Sequence, residues 1–511
     1  MGRVAWRSNT CITCRRRKVR VGRNESRNDT DYLAVLMKLS SVIREDPHVN
    51  DAVIQIFCAK DTALVINIPY SGRQWRLQIL GRFMSMYMPN DSIQARATHQ
   101  SVCMWYKYFP DSLGQSDLYD EALMAMSLLF IGLLDSNMDL FIKSEWLYSS
   151  VSEKIANTNL TRGLNLDNLL GCVMTMALYE VYNPSGIQGW THQVRLGCEL
   201  LEKRGLPRTN ETFDRNLYRR LRNFALYHSC GGRKPTFLGR PEWRAILGGD
   251  SHDELLDILL QMPALMELMD GYKKRYGQAI PDSLLRHILR EFRQLEVQLL
   301  QWYWRLQCKE TVPLFDLQYA LPTDERFVTD ETSQIAFFSQ QHLFELLMLY
   351  WLGCVVLYTF GAEVPWQMEV NLPGPTLLSE AVKVPNADTT LTALLIEKGG
   401  IGGAEESEQL AAHFAHRVCQ SVAFCMRPGF AMAGLQILMT PVWAAKQFFL
   451  HRTPGKVKWC QMALDEMGSR GVKLAKVIRN ISQDQYAAMK ETNWLESVQL
   501  ERVESGDWEI A

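Results

Sequence analysis

Apolar residues recur at helical spacing along most of the chain. Leu123, Met126, Leu129, Phe130 and Leu133 fall on one helical face, and Leu169, Cys172, Val173, Met176 and Tyr179 fall on another. The clearest helix is predicted to start after Pro281, with Asp282 or Ser283 as its N-cap. Within it Leu285, Ile288, Phe292, Leu295, Leu299, Trp302 and Leu306 alternate spacings of three and four, an a/d seam over three heptads. Such a seam serves either a parallel dimer coil or the inner face of an antiparallel bundle helix, and the bundle is the simpler reading. Further helices are predicted over 408–425, 430–449, 457–467 and 472–481. Fainter patterns suggest a helix over 31–44, on Leu33, Leu36, Met37 and Ile43, and a short strand over 61–70. No fixed-period repeat is present. The predicted class is all-α: a large multi-helix body behind a short N-terminal head.

Two stretches depart from this pattern. Residues 361–410 carry Pro365, Pro373, Pro375 and Pro385, then the cluster GGIGG at 399–403, and read as a long surface excursion. Residues 346–360 form the longest apolar run, interrupted by Tyr350, Tyr358 and Thr359. That is short of the roughly 20 residues a membrane span requires, so a buried core helix is expected and no membrane partner.

Composition agrees with a large core: 47% of the 511 residues are hydrophobic and 22% charged, which excludes disorder throughout. The net charge of −1 conceals an asymmetry. Residues 1–30 hold nine basic side chains against Glu25 and Asp29, giving +7, so the remaining chain sums to −8. A basic head on a mildly acidic body suits a polyanion. No apolar stretch follows the basic start, so no secretory leader is expected. The twelve cysteines are dispersed, as at Cys172, Cys354 and Cys460, which fits a reducing compartment.

Paired cysteine spacing occurs at Cys11 and Cys14, inside CITCRRRKVRV. Two thiolates three residues apart can grip one zinc in a tight turn. Arg15, Arg16, Arg17, Lys18 and Arg20 would then lie on a short helix leaving the metal, where guanidinium forks suit phosphates and the acceptor edge of guanine. A solvated basic tail with two incidental cysteines is the plainer alternative. The segment resembles the first half of the fungal zinc binuclear cluster, C-x2-C-x6-C followed by a second half of the same form. In that family six cysteines share two zincs and the intervening basic residues contact DNA. Cys11, Cys14, Arg15, Arg17, Lys18 and Arg20 match; Val21 stands where the third cysteine belongs, and the next thiol is Cys58. Valine ligates no metal, and two thiolates cannot hold a two-metal cluster, so zinc is expected to be partial or absent here. Evolutionary loss and a misjoined coding sequence near codon 21 both produce this pattern.

The stretch 176–207 (MALYEVYNPSGIQGWTHQVRLGCELLEKRGLP) resembles the central part of the fungal-specific regulatory domain that follows such clusters. There an aromatic–glutamate pair (here Tyr179 and Glu180) leads through a loop to a Trp-x-His helix (Trp190, His192) and an Arg-Gly-Pro-like stop (Arg204, Gly205, Pro207). FLGRPEW at 237–243, DILLQMP at 257–263, LYWLGCVVLY at 349–358 and MTPVWAAKQFF at 439–449 are similar to the same family. Taken as residues, these positions read mostly as packing. Gly205 suits a left-handed helix end and Pro207 stops continuation, Trp190 fills an inter-helix gap, and His192 is a partly buried hydrogen-bonded residue. The resemblance divides the chain into a degenerate zinc-cluster head (1–30), a variable linker or helical region (31–118), the helical domain (119–485) and a tail (486–511).

Enzyme signals are weak. His413, His416 and Cys419 lack a secured third ligand, GGIGG follows no strand and precedes no phosphate-loop lysine, and neither a Gly-x-Ser-x-Gly elbow nor a His-Glu-x-x-His helix occurs. The resemblance therefore implies a nuclear regulator of RNA polymerase II promoters, of a metabolic or secondary-metabolite gene set, that binds DNA weakly or non-specifically. The alternative is an interaction protein, a homo- or heterodimer partner of an intact regulator, with the 285–306 seam as its pairing device.

Overall fold

A computed structural model describes residues 73–87, 105, 109–157, 165–207, 212–244, 246–277, 279–320, 327, 334–366, 403–427 and 431–488. Cys11, Cys14, Arg15, Arg16, Arg17, Lys18 and Arg20 lie outside the described residues, as do the expected helix over 31–44 and strand over 61–70. Of the described residues 79% are helical, so the fold is all-α.

Helix α1 (Arg73–Tyr87) lies in the stretch read as a linker or helical region and turns Ile79, Leu80, Phe83 and Tyr87 into the core. After the single turn α2 (Phe109–Ser112), α3 (Asp117–Asp135) and α4 (Met138–Ala156) form a hairpin. Ser136 adopts the left-handed conformation and Asn137 accepts hydrogen bonds from the amides of Asp139 and Leu140, so one helix ends and the next is capped within two residues. Gly132 permits this close approach, because an added Cβ would lie 2.9 Å from the Phe141 nitrogen. Helices α5 (Leu166–Tyr182), α6 (Ile187–Arg204) and α7 (Thr212–Gly232) follow in sequential contact. The expected faces of α3 and α5 are buried, with Leu133 half-buried, but the helices bury far more than one face. Contacts with α1, α4 and α5 surround α3, and Leu169 to Tyr182 is buried without a break on α5.

Two short 3-10 turns (Phe237–Gly239 and Pro241–Trp243) lead to α8 (Ser251–Leu259), α9 (Met262–Tyr276) and α10 (Asp282–Lys309). The N-cap of α10 is Pro281, one residue earlier than expected. Its extended backbone lets the carbonyl accept from the amides of Leu284 and Leu285, and Asp282 becomes the first helical residue, favourable to the helix dipole. All seven seam residues are at most 4% exposed. They are covered from within the chain, α10 packing on α8, α9 and α11 (Gln341–Glu363), so the dimer-coil reading of the seam is replaced by the bundle reading.

The sequence patterning gave no sign of a hairpin between α10 and α11. Strands β1 (Asp316–Tyr319) and β2 (Gln334–Phe337) pair antiparallel, Asp316 opposite Phe337 and Tyr319 opposite Gln334. β2 rests on α12 (Ala404–Cys425), where Phe337 meets Phe424 at 5.1 Å.

Helix α11 is the central pillar. Among the described residues it is the one helix long and apolar enough to cross a membrane, and 89% of its apolar window is buried inside the fold. Tyr350 stacks on Tyr303 at 4.8 Å and on Trp302 at 5.4 Å. Gly353 lets α8 come so near that a Cβ would sit 2.2 Å from Leu259. Each such large apolar side chain contributes roughly 1.5–3 kcal/mol when buried. Helix α11 runs on to Glu363 and α12 starts at Ala404, with Glu405 and Glu406 in its first turn. The interruption expected over 361–410 is therefore shorter, and 367–402 lie outside the described residues. Helices α13 (Ala431–Phe449), α14 (Pro454–Ser469), α15 (Leu474–Ile478) and α16 (Gln483–Ala488) complete the body. Helix α13 packs on α11, α12 and α14, and also returns to α1.

Candidate functional site

The residues of the 176–207 stretch converge on the junction of α5, α6 and α7. Glu180 is fully buried at the end of α5. It accepts from the Tyr148 hydroxyl at 2.5 Å, from the Ser185 amide at 2.8 Å and from the Ser185 hydroxyl at 2.9 Å. Gly189 on α6 leaves room for this carboxylate, since a Cβ would lie 2.5 Å from its oxygen. Burial, followed by the neighbouring Glu180 charge, pushes the Tyr148 hydroxyl well above its ordinary pKa, so it stays a donor. Arg204 ends α6 and binds Asp167 at 2.6 Å and Asp214, tying the starts of α5 and α7 to one guanidinium. Gly205 takes φ 91°, a positive value as expected, but with ψ −168°: the mirror-extended region rather than the left-handed helical one. Trp190 packs edge-on against Phe224 at 5.7 Å between α6 and α7.

A second polar cluster lies under α7. Arg219 donates to Asp253 and to Asp250 at 2.9 Å, and Arg222 to Asp257, so three acids flanking or within α8 hold two arginines that are at most 3% exposed. Burial alone would lower the Arg219 pKa, but its bonds to Asp253 and Asp250 outweigh that and raise it. His252 stands among them, fully buried. Burial first and Arg219 second push its pKa down to about 3, and it is therefore neutral. This cluster was missed in the sequence, although the arginine run on α7 and the Asp250, Asp253, Asp257 spacing could have signalled it.

A cleft of about 440 Å³ opens beside α6 and α7. Thr191, His192, Arg195 and Cys198 of α6 form one wall, His228 and Ser229 of α7 another, and Lys234, Thr236 and Arg240 of the following turn a third. Tyr486 of α16 closes the end. The FLGRPEW segment is braced behind it. Phe237 packs against Trp243 at 4.7 Å, and the Tyr218 hydroxyl donates to the Trp243 carbonyl at 2.6 Å. Gly239 passes so close to Leu260 that a Cβ would lie 2.4 Å from its carbonyl oxygen. Tyr486 lies against Gly231 and shares a 3.0 Å hydrogen bond with His228 Nδ1. Its segment is held by α13, whose Trp443, Lys446 and Gln447 side chains all donate to the Ile481 carbonyl. Burial pushes the Cys198 thiol up to about 12, while the Thr236 hydroxyl pulls weakly the other way. It is thus a poor nucleophile. Burial and then Arg195 lower the His192 pKa. Arg195, Lys234 and Arg240 share the cleft with Glu199 and Glu202 at its exposed edge, Arg240 pairing with Glu202 at 3.4 Å, so a polar ligand in the size range of small-molecule sites would meet both signs of charge there.

The other candidates are placed differently. His416 Nε2 lies 2.6 Å from Lys456 Nζ, and Cys419 is buried against Cys460. His413 packs on Phe414. No group of three or more His, Cys, Asp or Glu side chains that can hold a metal occurs among the described residues. The cleft itself was missed in the sequence, because its walls come from segments nearly three hundred residues apart.

No family model matches the chain. It is similar to an uncharacterized protein of Emericella nidulans, 26% identical over 154 residues. That match covers 30% of this chain and spans a third of the relative's length. No solved structure matches.

Proposed function

We propose that the chain is a fungal nuclear transcription regulator with an impaired DNA-binding head and a helical body that serves as the regulatory part. The observation that carries this reading is the pairing of CITCRRRKVR, at Cys11 to Arg20, with a body in which Tyr179, Glu180, Trp190, Arg204 and Gly205 act together to join three helices. The similarity to a fungal protein is consistent with it. In this reading Arg15, Arg16, Arg17, Lys18 and Arg20 meet DNA phosphates by counterion release, weakly and with steep salt dependence. Cys11 and Cys14 hold zinc partially or not at all. In this reading the cleft beside α6 and α7 binds a ligand, and its thiol, held protonated by burial, takes no part as a nucleophile. Pairing with an intact regulator, the runner-up, had its sequence argument in the 285–306 seam, and that seam is core.

The test uses the full chain. Zinc per chain is measured, with binding to random-sequence duplex at about 50 and 200 mM salt. Weak binding that falls steeply between the two salts, and disappears when the five basic residues at 15–18 and 20 become alanine, is expected. Two zincs with nanomolar, sequence-selective binding would overturn the impaired head. Absence of binding at low salt would remove the DNA role and leave the pairing reading.

A further inference from the structure

We propose that the outer face of α4 is a docking surface for a basic amphipathic helix of a partner protein. On this helix Leu140, Ser144, Tyr148, Val151 and Ile155 face the core. The opposite face presents Met138, Ile142 and Trp146, one helical turn apart, and these are 65%, 57% and 67% exposed. Leu134, at the end of α3 and four residues before Met138, is 49% exposed. Four of the seven large hydrophobic side chains that stand exposed among the described residues thus fall within residues 134–146. A contiguous exposed stripe with a tryptophan in it is the signature of an interface rather than of scattered surface residues. The stripe spans about 12 Å, the length of two helical turns. It is backed by a rigid support, since Gly132 and the Asn137 cap lock α4 to α3.

The charge around the stripe selects the occupant. The cations of α4 are already engaged by the chain's own groups: Lys143 lies over the Trp75 ring at 5.3 Å, and the half-exposed Lys154 binds Glu121 at 2.5 Å. Asp135 at the hairpin pairs with Arg82. Asp139 and Glu153, which flank the stripe, are exposed and make no ion pair among the described residues. The rim is therefore negative. A second copy of this chain would bring the same two acids to the interface, whereas a helix with lysines or arginines beside its apolar ridge neutralises them. Apolar side chains at i and i+4 on such a helix would interdigitate with Met138, Ile142 and Trp146.

The experiment titrates the full chain with a fluorescent peptide of about 18 leucines and lysines patterned at helical spacing, and with its leucine–glutamate counterpart. The lysine peptide is expected to bind. Ile142→Ser with Trp146→Ser should weaken that binding about tenfold or more, and Asp139→Lys with Glu153→Lys severalfold. The glutamate peptide should not bind. Because all four positions are exposed, the melting temperature of each variant should match that of the parent, which separates lost docking from lost folding. Equal binding of both peptides would overturn the proposal. So would lysine-peptide binding indifferent to the serine pair, or self-association of the parent chain that the serine pair abolishes.

Discussion

Helices α10 and α4 each carry an apolar stripe at helical spacing, and the two stripes meet opposite fates. On α10 the seven seam residues are covered by α8, α9 and α11 until at most 4% of any remains exposed. On α4 the spacing that buries Leu140, Ser144 and Tyr148 leaves Met138, Ile142 and Trp146 more than half in solvent. Periodicity fixes which side chains share a face; only the tertiary neighbours decide whether that face is core or contact surface. The stripe that looks like a pairing device in the sequence is interior, and the one that faces outward is shorter.

Substitutions can break or sharpen this contrast. The largest effect is expected in the seam. Phe292, fully buried among Tyr358, Phe360 and Trp366, should cost about 3–5 kcal/mol when changed to alanine, read as a drop in chemical denaturation midpoint. If Phe292→Ala leaves stability intact and instead changes the oligomeric state, the seam is an interface after all.

A middle-sized effect is expected from acid. Helix α8 supports the seam, the Trp302 indole donating to the Ser251 carbonyl at 2.7 Å, and the next residue is the buried His252. Its folded pKa, pushed down to about 3 chiefly by burial, lies below the ordinary 6.5, so the unfolded chain takes up the proton first. Its contribution is complete above pH 6.5 and is lost as pH falls from there towards 3. Denaturation of His252→Leu across that window should show a shallower decline than the parent. Equal slopes would mean that the imidazole does not titrate on unfolding.

The smallest effect belongs to α4. Met138→Ser and Ile142→Ser should each shift stability by no more than about 0.5 kcal/mol, because those side chains leave no cavity behind. A loss of several kcal/mol at either position would show that the face is covered within the chain.

Much of the helical body is legible in the sequence, since apolar spacing marks α3, α5, α10 and α12 to within a few residues. What it misjudges follows from physics that periodicity does not contain. Leu123 and Leu169 lie on faces that patterning can define, yet α3 and α5 are each wrapped by several helices at once, which the spacing within one helix does not encode. The cap of α10 is set by the Pro281 carbonyl rather than by a side chain. β1 reads DLQY, mostly exposed and without alternation, and its partner strand begins fifteen residues after Tyr319, so nothing local announces the hairpin. In the candidate site, Trp190 and Gly205 are interpretable as packing and stop residues. Glu180 is apparent only as half of an aromatic–acid pair, its role as acceptor for three donors requiring the folded loop. Tyr486 joins His228 across 258 residues, and no local pattern can foresee that contact.

The way Tyr486 is seated has a practical consequence for anyone handling the chain. One side of the cleft is supplied by a six-residue helix held through the Ile481 carbonyl, the Gln483 bonds to Gln447 and Cys230, and a ring set over Gly231. Trimming back to residue 480 would remove that wall without touching α6 or α7, widening the cleft into a groove and leaving the His228 imidazole open to water. Limited digestion from the C-terminal side therefore doubles as a gauge of the cleft, because whatever fills it and grips Tyr486 should slow the protease at that point.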